Sequence, residues 1–87
     1  MKKQNLCKKK EFIVKEITLH GSGDTTEDFY SRECSKSKAK EILSFSLKEG
    51  GIVYEYDKKK GKHRQIMHNW GEDKPITEVG SWYKGKP

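Results

Sequence analysis

Residues 36–70, KSKAKEILSFSLKEGGIVYEYDKKKGKHRQIMHNW, decide the fold. The first part reads as a helix over 36–49. Ser35 or Ser37 can cap it by accepting a bond from a free backbone N–H. Ala39, Ile42, Leu43 and Leu47 follow the i, i+3, i+4, i+8 spacing of one apolar face, with Phe45 at its edge. Gly50-Gly51 offers a left-handed residue to end the helix. The second part reads as a hairpin, with strands over 51–57 and 63–70. Ile52, Tyr54 and Tyr56 alternate with Val53, Glu55 and Asp57, and Lys58-Lys59-Lys60-Gly61-Lys62 forms a five-residue loop. Pairing Asp57 with His63 sets Tyr56 against Arg64, Tyr54 against Ile66 and Ile52 against His68. That register turns the face of Tyr54, Ile66 and Trp70 inward, into a core shared with Ile42, Leu43 and Leu47. It leaves Asp57, His63, Glu55 and Gln65 outward.

Strands are expected on both sides of this unit. Residues 11–19 are rich in β-branched and aromatic side chains, although their alternation is imperfect. Gly21-Ser22-Gly23-Asp24 then breaks the chain. A second strand runs from about Asp28 to Cys34. A last strand spans Ile76–Tyr83, interrupted at Gly80. The order is β-β-α-β-β-β, an α+β domain with one helix on a mostly antiparallel sheet of four or five strands. Residues 1–10 read as a flexible basic arm, 11–83 as the domain and 84–87 as a frayed tail.

Eighty-seven residues allow a single domain with a thin core. The net charge of +6 is segregated. Segments 1–10, 58–64 and 84–87 hold twelve of the nineteen cations and no acid, which leaves seven cations against thirteen acids, a balance of −6, elsewhere. Such segregation points to a polyanionic partner. No run approaches the ~20 apolar residues of a membrane span, so no membrane partner is expected. The opening Met-Lys-Lys-Gln-Asn-Leu-Cys lacks an apolar stretch and does not read as a leader. Two cysteines, Cys7 and Cys34, are too few for a disulfide framework and match no metal spacing. Reduced thiols and a cytoplasmic location are the expectation.

The hairpin tip carries the clearest functional signal. Lys58, Lys59, Lys60, Lys62 and Arg64 crowd one turn, with His63 among them and Tyr56 beside them. Cations of this density neutralise phosphates, and aromatic rings beside them suit base stacking. Lys8, Lys9 and Lys10 of the arm add to the same electrostatic surface. Other constellations carry less. His63 and His68, five apart on a strand, are expected on opposite faces and cannot share a metal. Asp57 can hold His63 across the ladder. Gly21–Asp24 lacks the Lys-Ser/Thr of a phosphate loop, and Asp24, Glu27 and Asp28 fit no cation-loop signature. No catalytic residue, cofactor or metal is assigned.

The helix, Gly50-Gly51, the following strand and Lys60-Gly61-Lys62-His63 resemble the helix, strand and Lys-Gly-Ser-His element of small messenger-RNA-cleaving toxins of the hic type. The resemblance covers under half the chain. Lys62 stands where that motif has Ser, and residues 71–87 offer no counterpart of the family's later helix. It implies His63 as a catalytic position. Three functions follow as expectations. The leading one is a non-catalytic module that binds DNA or RNA through the 58–64 tip. The first alternative is a small phage-type or mobile-element inhibitor that binds a host protein. The second is a ribonuclease-like toxin.

Overall fold

The helix forms from the quoted segment but stops early. In the computed structural model, which describes residues 7, 9–71 and 74–87, α1 spans Lys36–Phe45. Ser35 caps it, its hydroxyl accepting the Lys38 N–H at 3.3 Å. The expected extension to residue 49 is corrected: Ser46 and Leu47 both donate to the Ile42 carbonyl, at 2.8 and 3.1 Å, and the chain turns there. The turn drives Leu47 into the core at 3% exposure. Gly50-Gly51 does not supply a left-handed terminator, for neither has positive φ. They are glycines because of close approach. A Cβ on Gly50 would lie 2.8 Å from the Ile17 carbonyl oxygen, and one on Gly51 2.6 Å from Leu43 Cδ1. Only a bare backbone lets the sheet pass this close beneath the helix.

Six strands surround α1 in sequence: β1 Lys10–Leu19, β2 Thr25–Glu33, β3 Gly51–Asp57, β4 Lys62–Asn69, β5 Ile76–Thr77 and β6 Tyr83–Lys84. All pairings are antiparallel, in the order β2-β1-β3-β4-β5, with β6 also on β4. The chain is one α+β domain. β1 lies antiparallel to both β2 and β3, so those two run parallel, and α1 crosses over β1 between them. The expected last strand is split into β5 and β6. Between them Glu78 and Gly80 still donate to Ile66 and Gln65 carbonyls, at 3.1 and 2.8 Å. No helix among the described residues is long and apolar enough to cross a membrane.

Two bulges decide which side chains meet the helix. In β2 the register slips at Tyr30: Ser31 pairs with Val14, and Phe29 with Lys15. In β4 it slips at Ile66: Met67 pairs with Val53, and Gln65 with Tyr54. The expected hairpin register is therefore corrected near the turn, where Asp57 pairs with Lys62 and Tyr56 with His63, yet Ile52 does pair with His68. The extra residue in β4 absorbs the difference. It also lets the neighbours Ile66 and Met67 both reach the core, which comprises Val14, Ala39, Leu43, Leu47, Val53, Ile66 and Met67, with Phe12 and Ile42 packed on it. Tyr54 and Trp70 do not join this core. Val53 is the β3 residue under the helix, so Tyr54 faces the opposite side, and Trp70 is 52% exposed at the end of β4.

The free-thiol expectation is overturned: Cys7 and Cys34 form a disulfide. The β1–β2 ladder explains it. Phe12 pairs with Glu33, so the chain entering β1 lies beside the chain leaving β2, and the two Cα atoms come within 5.2 Å. Of the expected arm, residues 1–6 and 8 lie outside the described residues. Cys7 is tethered, the Lys9 carbonyl accepts the Lys58 N–H at 3.0 Å, and Lys10 begins β1. The expected loose tail is also held, since Gly85 N–H donates to the Gly61 carbonyl at 2.7 Å.

Candidate nucleic-acid interface

Helix α1 covers one face of the sheet and leaves the other open. Paired residues share a face, so the register fixes what the open face carries. Phe29 and Arg32 come from β2, Ile13 and Lys15 from β1, Tyr54 and Tyr56 from β3, His63 and Gln65 from β4, and Tyr83 from β6. The Tyr30 bulge is what puts Phe29 and Arg32, three positions apart, on one side. Phe29 and Tyr83 are 62% and 64% exposed, unusual for rings of this size. Tyr54 meets His63 edge-on at 5.7 Å between centroids, and His63 lies 6.0 Å from Tyr83. Lys15 and Lys86 set their ammonium groups 5.6 and 5.7 Å from the rings of Tyr54 and Tyr56. Cations over ring faces at this range are attracted by the ring quadrupole.

The Tyr54 hydroxyl donates to Glu27 at 2.7 Å. Burial first, then that hydrogen bond and the Glu27 charge, push its phenol well above the usual range. Tyr54 is thus a hydrogen-bond donor whose hydroxyl is anchored to Glu27 of β2.

The hairpin tip is organised by Asp57. Its carboxylate accepts the Lys59 and Lys60 N–H groups at 3.0 and 3.2 Å, while Gly61, at φ +62°, donates to its carbonyl. The expected Asp57–His63 pairing is therefore absent, because Asp57 is engaged in the turn. His63 Nδ1 lies 2.7 Å from the Gly85 carbonyl oxygen instead. The histidines also depart from expectation. The β4 bulge brings His63 and His68 to the same face, but they do not converge: His68 meets Gln65, Glu78 and Trp70.

The proposed cations divide into two groups. Lys59, Lys60 and Lys62 project from the tip into solvent. Lys62 stands directly opposite Lys84 across the β4–β6 pair, a like-charge arrangement that costs stability unless an anion lies between. The others are engaged. Lys58 Nζ donates to the Cys7 carbonyl at 2.6 Å and lies 3.7 Å from Glu11. Lys10 and Arg64 both bind Glu55, at 2.7 and 2.9 Å, and Arg64 stacks on Trp82 at 4.4 Å. Lys9 is exposed, and Lys8 lies outside the described residues.

Glu55 is 4% exposed on the helix side of β3. Burial works to raise its carboxyl pKa, but the hydrogen bonds and charges of Lys10 and Arg64 outweigh it and hold the group below its ordinary value. A depressed carboxyl stabilises the fold above its unfolded pKa near 4.5, and that contribution is lost as pH falls through the folded value. Thermal melts from pH 7 to pH 3 should therefore show an acid-side decline that the Glu55→Gln variant lacks below pH 4.5. Parallel declines in both proteins would show that the triad does not govern acid stability.

Of the site residues named from sequence, Tyr56 and His63 lie on the open face, and Phe29, Lys15, Arg32, Tyr83 and Lys86, which share it, were not among them. Neither bulge leaves a sequence signal. No protein-family model, no curated protein and no solved structure matches this chain.

Proposed function

We propose that this protein binds single-stranded nucleic acid, with bases on the open sheet face and backbone phosphates at the hairpin tip. The observation that carries this reading is the gathering of Phe29, Tyr54, Tyr56 and Tyr83 on the helix-free face, interleaved with Lys15, Arg32 and Lys86. Each base stacked on an aromatic ring contributes about 1–3 kcal/mol without regard to sequence. The solvent-facing Lys59, Lys60 and Lys62, with Lys84 opposite Lys62, supply the counter-charge. A broad sheet with rings at its centre suits splayed single strands better than a groove of duplex.

The test is fluorescence anisotropy with mixed-sequence single- and double-stranded oligonucleotides at several salt concentrations. Wild type should bind the single strand more tightly. Changing Lys59, Lys60 and Lys62 to Gln should keep the fold and weaken binding. The slope of log affinity against log salt should fall by about 0.7 for each lost phosphate contact. No binding below the micromolar range at low salt would sink the proposal.

A nucleic-acid role suits a cytoplasmic setting, but the Cys7–Cys34 bridge suits an oxidising one, because structural disulfides persist outside the reducing cytosol. The bridge favours a second reading, an inhibitor that binds a host protein over the same face. Pull-down from native lysate with and without nuclease separates the two. Nucleic acid in the eluate supports the first, and one nuclease-resistant protein partner supports the second.

A further inference from the structure

A hollow of about 140 Å³ opens on the same face between Phe29 and Tyr56. Glu11, Ile13, Arg32, Lys86 and Pro87 complete its lining. Its volume is too small for a drug-sized ligand and suits a single planar ring system. Glu11 is the unusual member. It is 6% exposed, on a strand in the middle of the sheet. Its two carboxylate oxygens have cations beside them but not bonded to them: Arg32 Nε lies 3.9 Å from Oε1, and Lys58 Nζ 3.7 Å from Oε2. Both separations exceed hydrogen-bond length. Among the described residues no hydrogen bond to this side chain occurs. The carboxylate is thus charge-compensated while its acceptor positions stay unused. Its oxygens are not sealed in, for among the described residues no buried side-chain oxygen lacks a hydrogen-bond partner, and they are therefore reachable from the hollow that two rings flank.

Resting on the nucleic-acid reading, we propose that this hollow receives one unstacked base, and that Glu11 selects guanine. Guanine alone among the four bases presents two adjacent N–H donors, N1–H and the N2 amino group, which match the two oxygens of one carboxylate. Its O6 acceptor then falls beside the cations that flank Glu11. Cytosine and adenine offer one amino group next to an acceptor that the carboxylate repels, and uracil and thymine offer an imide N–H between two carbonyls. The base stacks against Tyr56 in the place of the Lys86 ammonium, now 5.7 Å from that ring, and the displaced ammonium meets the adjoining phosphate. Phe29 closes the other side. Glu11 would be the specificity-determining residue of an otherwise sequence-tolerant surface.

The experiment uses labelled uridine-tract oligonucleotides that carry one central guanine, adenine, cytosine or uracil, titrated by fluorescence anisotropy against the oxidised full chain. Central guanine should bind about tenfold tighter than uracil, the discrimination expected of one good bidentate contact. Hypoxanthine, which lacks the N2 amino group, should lose most of that advantage, and this arm needs no protein variant. Glu11→Gln, with its fold checked by circular dichroism, should bring guanine to within about twofold of uracil and leave the all-uridine tract unaffected. Phe29→Ala should weaken every central base alike. Equal affinity for all four bases, or an undiminished hypoxanthine complex, would overturn the guanine pocket while the nucleic-acid reading stood. Failure of wild type to bind any of the oligonucleotides would overturn both.

Discussion

Leu43→Ala should lower the free energy of unfolding by about 2–5 kcal/mol, the range for removing a fully buried leucine from a core that cannot collapse. Leu43 is wholly inaccessible at the centre of the core. Its surroundings have little freedom to close in. Gly51 already lies against its Cδ1, and the buried Asn69 side chain donates to its backbone carbonyl at 3.1 Å, fixing the helix to β4. At 87 residues the whole domain has on the order of 5–10 kcal/mol of stability. The loss is therefore a large fraction of the total. Urea denaturation should show a lower midpoint with an unchanged slope. An unchanged midpoint would mean that the helix does not pack through this residue.

Breaking the Cys7–Cys34 bridge should have an effect of similar size. The bridge joins residues 27 positions apart. In the chain-entropy account, closing a loop of that length removes about 3–4 kcal/mol of disorder from the unfolded state. Cys34→Ser should therefore unfold at clearly lower urea than the oxidised wild type, and reductant should shift the wild type to the same midpoint and leave the variant unmoved. A wild type insensitive to reductant, or two free thiols in protein purified without it, would contradict the bridge. The consequence reaches the tip as well. The Cys7 carbonyl accepts from Lys58, so the tether helps to hold the tip against the end of β1.

The sequence carried the helix and the hairpin because their signals are local. Ala39, Ile42, Leu43 and Leu47 repeat at the helical period within one segment, and two alternating runs flank a glycine-bearing turn. What it did not carry depends on register. One extra residue at Ile66 frees it from pairing with Tyr54, so Ile66 reaches the core while Tyr54 faces away from the helix, and bulges are set by packing, not by composition. Tyr54 was expected inward because the Asp57–His63 register set it opposite Ile66 on the more apolar face of the hairpin. The backbone must instead pass within contact of Leu43 at Gly51, and parity then assigns Val53 and Glu55 to the same side. Glu55 tolerates that side because Lys10 and Arg64, distant in sequence, meet it there. The disulfide was illegible for the same reason, since only the β1–β2 pairing brings Cys7 to Cys34. In the candidate site, Tyr56 and His63 could be read from their place beside the tip. Phe29 and Arg32 share the site's face through the Tyr30 bulge, and Lys86 comes there through the β4–β6 pairing and the bonds of Gly85 to Gly61 and His63.

The most direct test of a nucleic-acid-binding sheet face is a residue-resolved one. Amide and aromatic chemical shifts of the oxidised protein should be followed as a single-stranded oligonucleotide is added at low salt. The account predicts the largest changes at Phe29, Tyr54, Tyr56, His63 and Tyr83 and at the tip from Lys59 to Lys62, with α1 from Lys36 to Phe45 unperturbed. Changes centred on the exposed side of α1, or none at all at high protein concentration, would contradict it.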